Sequence, residues 1–510
     1  MISELASALR RDSDRPAVVG VSARLGGRPG GHGAVRTLVT RGQLSDLAES
    51  YARALHHRGL GDGDTLGVAI RPGGRSLAVL LAARTLGLRV AALDPTAGPD
   101  VLRARIALAS PALVLADAAA QAVASWARPL ARRAQLELPA LDEFGPVLTV
   151  GRRLPGCAPS LALGPAGRAG RAGGVPDRSD QDGDAVIIFT SGTTARPRAV
   201  VHTWASVEAG MRAVAGLVGP LPSQPVLGGT LFVLVPALAA GAPVALPSRS
   251  ANGVARQLDR LAPQAAYLTP PALRAALDAG AWFTGRVYSG SAPVSAALLS
   301  RLKAAGASAA FGVYALTEMF PVAAVEADEK AAFDEAGDAG DLVGNLVDGV
   351  QARVDAAGQL LLTGPNACDR YLGEPPAEWV QTGDQAVVRG GRVVLAGRSK
   401  DMILRQAENI YPGLYEPALH VPGVSLAILV GVPAPDHDER IAAVVELEPG
   451  ADLTAVRSLL RPRLEAMGSA RPDLLLFAPV PLSGRSRKPD RAAASELVVR
   501  ASRERASREN

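Results

Sequence analysis

Between residues 41 and 94 the sequence alternates helix and strand patterns at short spacing, and few folds accommodate that alternation. In RGQLSDLAESYARALHHRGL, residues 41–60, apolar positions fall at Leu44, Leu47, Ala48, Tyr51 and Leu55. This is the three-and-four spacing of an amphipathic helix, with Gly59 as its stop. GDGD at 61–64 reads as a turn and TLGVAI as a strand, after which SLAVLLAARTLGL, residues 76–88, forms a second helix leading into the strand RVAALD. Strands joined through helices in this way build parallel sheets, so the expected class is α/β.

A chain of 510 residues that is 48% apolar has enough to bury more than one core, and two or more domains are expected. GPAGRAGRAGGVPDRSDQDGDA, 164–185, offers almost nothing to bury and reads as a surface loop before the apolar strand AVIIFT. A second shift falls near 397, where GRSKD interrupts two apolar strands. The expected division is into two domains, 1–397 and 398–510, with the charged tail SRERASREN of the second frayed.

Composition removes several functions. A formal charge of +5 is small for this length, and basic residues gather only between Arg487 and Arg508, so nucleic-acid binding gains no support. Two cysteines, Cys157 and Cys368, supply neither a disulfide framework nor zinc spacing. Residues MISELASALRRD lack the apolar run of a secretory signal, and a cytoplasmic protein is expected. From Ala213 to Ser248 no residue is charged. Pro220, Pro222, Pro225, Pro236 and Pro243, with Gly228, Gly229 and Gly241, cut this stretch into pieces too short to span a bilayer.

The chemistry begins after AVIIFT. Thr190, Ser191, Gly192, Thr193 and Thr194 place four hydroxyls and a glycine in a tight loop, a set that donates to polyphosphate oxygens without steric bulk. Further segments follow in order: SGSAP at 289–293, VYALTEM at 313–319, GQLLLTGP at 358–365 with Arg370-Tyr371 after it, WVQTGD at 379–384, GRSKDMILRQAENIYPGLYE at 397–416 and RKPDR at 487–491. Together with FTSGTTARPRAVVHT at 189–203, these resemble the adenylate-forming superfamily of acyl-CoA synthetases, luciferases and peptide-synthetase adenylation domains. The pattern is most similar to the acyl-CoA synthetases, and the resemblance covers essentially the whole chain.

That resemblance implies an α/β fold with a large multi-sheet N-terminal AMP-binding domain, 1–397, a small mobile α+β C-terminal lid domain, 398–510, and two half-reactions. A carboxylate attacks the α-phosphate of ATP to give an acyl-adenylate and pyrophosphate, and a thiol of coenzyme A or of a carrier-protein phosphopantetheine then takes the acyl group. It implies that Thr190 to Thr194 hold the β- and γ-phosphates, that Arg198 meets pyrophosphate, and that Tyr314 faces adenine beside Gly290, Ser291 and Ala292. Thr317 would bond the α-phosphate, Glu318 hold Mg²⁺, Asp384 and Arg398 contact the ribose, Lys400 serve as the lid's pivot, and Lys488 bridge carboxylate and phosphate. The implied partners are a small carboxylic acid and, as one candidate, an acyl carrier protein.

Lysine use sharpens this. Of 54 Lys and Arg only four are lysine, Lys303, Lys330, Lys400 and Lys488, and two of these stand where the resemblance needs an ammonium. A compact ammonium on a flexible stem contacts two oxyanions in a narrow site more readily than a planar guanidinium does. Against the usual pattern, Ala195, Ala199, Ala315 and Ala407 replace glycine and Arg198 replaces lysine. Alanine disfavours positive φ, and at Ala407 a methyl group could narrow the thiol channel. Between His202 and Ser248 the only acid is Glu208, while VLGGTLFVLVPALAAG is apolar with room at Gly228 and Gly229. A hydrophobic fatty or aryl acid is therefore expected. Acyl transfer to a nitrogen nucleophile, and nucleotide binding without turnover, stay open. The sequence assigns no oligomeric state.

Overall fold

The computed structural model describes the chain except residues 22–33, 94–98, 129–140, 164–173, 190–197, 406–407, 435–438, 485–486 and 510. It divides into two compact units. One comprises Met1–Tyr267, Thr317–Pro321 and Gly364–Glu378; the other comprises Leu268–Leu316, Val322–Thr363 and Trp379–Asn510. The expected 397/398 boundary falls inside the second of these.

In the first unit the opening alternation is present as read. The helix Arg41–His56 starts at a capping box in which Thr40 accepts from the Gln43 amide and the Gln43 side chain accepts from the Thr40 amide. It buries Leu44, Ala48, Tyr51 and Leu55 on one face. Strand Thr65–Ala69, helix Gly74–Leu86 and strand Arg89–Ala92 follow, and the two strands pair in parallel, Thr65 opposite Arg89. Gly87, at φ 71°, closes the second helix in the left-handed conformation that glycine adopts without strain.

These strands belong to a sheet ordered Arg370–Tyr371, Ala199–Thr203, Asp184–Phe189, Arg89–Ala92, Thr65–Ala69, Leu113–Asp117 and Val147–Val150. Its inner pairs are parallel and the first two pairs are antiparallel. The uncharged stretch forms the end of helix Trp204–Val218, the strand Val226–Gly228, the helix Leu231–Ala239 and the strand Val244–Ala245. Pro236 lies within the third of these rather than ending it. Among the described residues no helix is long and apolar enough to cross a membrane.

The second unit carries strands in the order Gln351–Val354, Gln359–Thr363, Val380–Arg389, Arg392–Arg398, Asp341–Leu346, Ala323–Glu326, Ala309–Tyr314 and Arg286–Gly290. Beyond residue 402, two hydrophobic clusters draw only on later residues, one around Leu429, Ile441 and Leu460, the other around Ile428, Val444 and Val498. They flank the sheet Val424–Pro433, Glu439–Leu447 and Leu474–Phe477, with helices Leu453–Glu465 and Arg491–Glu509. The tail expected to fray is the end of that last helix. Arg500 and Glu504 stand four apart along it, the spacing at which opposite charges support a helix.

Candidate functional site

Two groups of the expected site residues come together, one in each unit. In the second unit, strand Ala309–Tyr314 ends on Tyr314, and the parallel strand Arg286–Gly290 ends with Gly290 opposite Val313. The backbone turns away at Ser291, whose φ is 69°. Gly290 and Ser291 are thereby set at the strand end beside Tyr314, where a small-residue floor was expected.

The Tyr314 hydroxyl donates to Asp384 Oδ2 at 2.5 Å, and Arg398 Nε donates to Asp384 Oδ1 at 2.9 Å. Asp384 and Arg398 face one another in antiparallel register on neighbouring strands. The carboxylate is only 4% exposed, and its own amide donates to Thr382 Oγ1 at 3.0 Å. Burial, reinforced by the Asp384 charge, pushes the Tyr314 pKa well above the usual phenol range, so the hydroxyl stays a donor. Each carboxylate oxygen has two lone pairs. Asp384 is thus fixed from both sides and keeps acceptor capacity for further hydroxyls.

In the first unit the segment Thr317–Pro321 is gripped by two strands. His202 Nε2 lies 2.8 Å from the Thr317 carbonyl and Nδ1 lies 3.3 Å from Ser206 Oγ. Since a carbonyl only accepts, Nε2 carries the proton in this assignment. His202 is buried, which holds its pKa below the usual 6.5 against the opposing influence of the Thr317 carbonyl and the Glu318 charge. From the other side, the Cys368 amide donates to the Glu318 carbonyl at 2.7 Å, Met319 bridges to Ala367, and Asn366 Nδ2 donates to the Pro321 carbonyl at 2.7 Å. The Tyr371 hydroxyl donates to Glu318 Oε1 at 2.9 Å.

Arg370 forks onto Asp184, its Nη1 and Nη2 lying 2.9 and 2.8 Å from the two carboxylate oxygens, and Arg89 Nη1 reaches the same carboxylate at 2.9 Å. These two guanidinium groups outweigh burial and hold the Asp184 carboxyl below its usual range. Arg198 places its guanidinium 3.8 Å from the Tyr371 ring centroid, with Nη2 3.5 Å from Glu374. Cys368 lies beside Glu318, but burial, with the charges of Glu318 and Asp369, pushes its thiol up to about 12. It is a thiol and not a nucleophile at neutral pH.

The phosphate-loop residues Thr190, Ser191, Gly192, Thr193 and Thr194, with Ala195 and Ala407, lie outside the described residues. Ala199 and Ala315 are not among the residues with positive φ. Alanine therefore costs the backbone nothing at either position. Ala292 follows Ser291 in the same turn. Lys400 is exposed in the turn Ser399–Asp401, and Lys488 is exposed on the short strand Lys488–Pro489. Glu208 is surrounded by cations, with Arg84 Nε at 3.5 Å and Arg212 Nη1 at 3.7 Å.

Sequence reading assigned no role to His202 or to the Tyr371 hydroxyl, although both lie in segments that carried the resemblance. Their signal was present, but their partner was not legible, because the two residues lie 115 and 53 positions from the residues they touch.

The sequence profile of the AMP-binding enzyme family matches residues 5–372. An olefin beta-lactone synthetase of Stenotrophomonas maltophilia is 28% identical over 475 residues, covering 82% of this chain and 83% of that protein. The fatty acid–[acyl-carrier-protein] ligase ScoC of Streptomyces coeruleorubidus is 30% identical over 354 residues, 61% and 67% of the two chains. Among solved structures, the amide bond synthetase McbA from Marinactinospora thermotolerans aligns with a TM-score of 0.73 at 23% identity, over 97% of this chain and 99% of that one.

Proposed function

The chain belongs to the AMP-binding enzyme family, and from that premise we propose that it joins a hydrophobic carboxylic acid to AMP and passes the acyl group to a thiol of coenzyme A or a carrier protein. The observation that carries the reading is the Tyr314–Asp384–Arg398 group, a buried carboxylate held on both oxygens beside the Gly290–Ser291 strand end. A short, immobilised acceptor suits the two hydroxyls of a ribose, and the Tyr314 ring beside small residues suits a purine face.

In this mechanism the acid's carboxylate oxygen attacks the α-phosphorus, the bond to the β-phosphate oxygen breaks, and pyrophosphate leaves. Thr190 to Thr194 and Arg198 hold the departing phosphates, Thr317 orients the α-phosphate, and Lys488 brings the two anions together. In the second step sulfur bonds to the acyl carbon, AMP departs, and the thiol proton passes to solvent. Lys400 is the pivot between the two steps, in keeping with the separate hydrophobic clusters after residue 402, so that 398–510 acts as the lid.

Mg²⁺ usually takes one or two carboxylates together with substrate phosphates. Glu318 fits that donor set: one oxygen is bonded to Tyr371, and among the described residues Oε2 accepts no hydrogen bond. Glu318 would hold the ion, which when bound neutralises charge developing on the phosphates. Glu208, occupied by Arg84 and Arg212, is no ready partner for a substrate ammonium, which supports a hydrophobic acid. The unpaired cysteines Cys157 and Cys368 agree with a reducing, cytoplasmic setting.

A second reading sends the acyl group to a non-thiol nucleophile, nitrogen or oxygen. Ala407 favours it, as do relatives named olefin beta-lactone synthetases that match over most of this chain. Pyrophosphate release from ATP across a panel of fatty and aryl acids, with and without coenzyme A, a carrier protein or an amine, tests both readings. The first expects acid-dependent pyrophosphate and a thioester. The second expects acyl-AMP by mass spectrometry and no thioester. Background release from every acid, unaltered by Lys488→Ala, would leave only nucleotide binding without turnover.

A further inference from the structure

We propose that Tyr371 is a positioning residue that aims the Glu318 carboxylate at the metal–phosphate group, and that Arg198 acts through it by holding the Tyr371 ring. The inference rests on Glu318 as the metal carboxylate.

Three sets of contacts fix the arrangement. The Glu318 main chain is held by the Cys368 amide at 2.7 Å, so the remaining freedom lies in its side-chain torsions. The Tyr371 hydroxyl, 2.9 Å from Oε1, restricts that freedom, while Oε2 accepts no hydrogen bond among the described residues. The strand carrying Tyr371 is itself tied down one residue earlier by the two-pronged contact of Arg370 with Asp184. Partners of this kind around a metal-binding carboxylate orient it and set the affinity for the ion.

Arg198 explains a departure from the family pattern. Where lysine is usual, this chain has a planar guanidinium 3.8 Å from the Tyr371 ring centroid, braced toward Glu374. A guanidinium stacks flat on an aromatic face and is more weakly hydrated than an ammonium, which meets the ring as a point charge. The exposed side chain of Arg198 thereby contributes order to the ring beneath it, and through the ring to Glu318.

The test is Mn²⁺ binding to the full-length protein with a non-hydrolysable ATP analogue, followed by electron paramagnetic resonance, alongside melting temperatures. Tyr371→Phe keeps the ring and its stacking but lacks the hydroxyl, and is expected to weaken Mn²⁺ binding by about tenfold. Arg198→Lys is expected to weaken it by about twofold to threefold, and by less than that in the Tyr371→Phe background, because the part of its effect that runs through the hydroxyl is already lost. Unchanged Mn²⁺ affinity in Tyr371→Phe, or additive effects of the two substitutions, overturns the proposal. If Tyr371→Phe does not fold, Arg198→Lys decides alone, and no change in its Mn²⁺ affinity overturns it. Glu318→Gln separates the two levels. Unaltered binding there removes Glu318 as the metal carboxylate, whereas lost binding there with none lost in Tyr371→Phe removes only the role of Tyr371.

Discussion

Asp384 shows how much one buried carboxylate can organise. It accepts from Tyr314 and Arg398 at once, so its removal leaves the Tyr314 hydroxyl without its acceptor, whereas the Arg398 side chain, 41% exposed, still reaches water. Leaving one buried donor unpaired costs about 1–3 kcal/mol. Asp384→Ala is expected to lower the melting temperature as well as ATP affinity, read by calorimetry with and without nucleotide; Tyr314→Phe, which removes only one partner, is expected to do less of both. The lysines divide in a way composition never showed. Lys330 is buried, paired with Asp341 and donating to the Leu342 carbonyl, while Lys303 sits on the surface beside Asp328. Breaking a buried pair by removing one partner costs about 3–5 kcal/mol. Lys330→Ala is therefore expected to shift the urea midpoint strongly and Lys303→Ala scarcely at all. Lys330 is a structural lysine, and the two lysines with proposed chemical roles, Lys400 and Lys488, are both exposed.

At the scale of elements, the helix Trp204–Val218 and the segment Thr317–Pro321 meet at Gly210, where an added methyl group would collide with the Phe320 carbonyl. Backbone yields less readily than a side-chain tip, so the segment carrying Thr317 and Glu318 would have to move. Gly210→Ala is expected to cut pyrophosphate release by about tenfold to a hundredfold, the usual sensitivity of catalysis to small misplacements. A circular dichroism spectrum unchanged from the parent would show that the helix itself persists. The reach of this helix toward Phe320 has no local signal in the sequence. The helix Arg41–His56 was readable because its signals, the apolar spacing and the stop at Gly59, lie within a few residues of one another. Pro236 lies inside the nine-residue helix Leu231–Ala239, and the pieces of the uncharged stretch stay too short to span a bilayer, as their prolines and glycines implied.

For the whole molecule, two histidines, the buried His202 and the partly buried His420, set a pH response. Burial lowers the pKa of both His202 and His420 below 6.5, against carbonyl and carboxylate contacts that favour the charged ring. Their unfolded forms take up protons that the folded forms refuse. Stability is then fully present above about pH 6.5 and is lost as pH falls below it, by ~1.4 kcal/mol for each tenfold weakening of proton affinity. Melting temperatures measured from pH 7.5 to 5 are expected to fall, with a shallower slope in His202→Gln and His420→Gln; an equal slope in both variants would refute the assignment. The sequence by itself determined the α/β class and the order of the chemistry-bearing segments, because periodicity and short motifs are local. Tertiary structure alone decided which of them touch. His202 and Tyr371 reach Thr317 and Glu318 across 115 and 53 residues, and Ala199 and Ala315 sit at backbone angles that suit alanine. Contacts between distant segments, and the angles that packing imposes, leave no periodic trace in the chain.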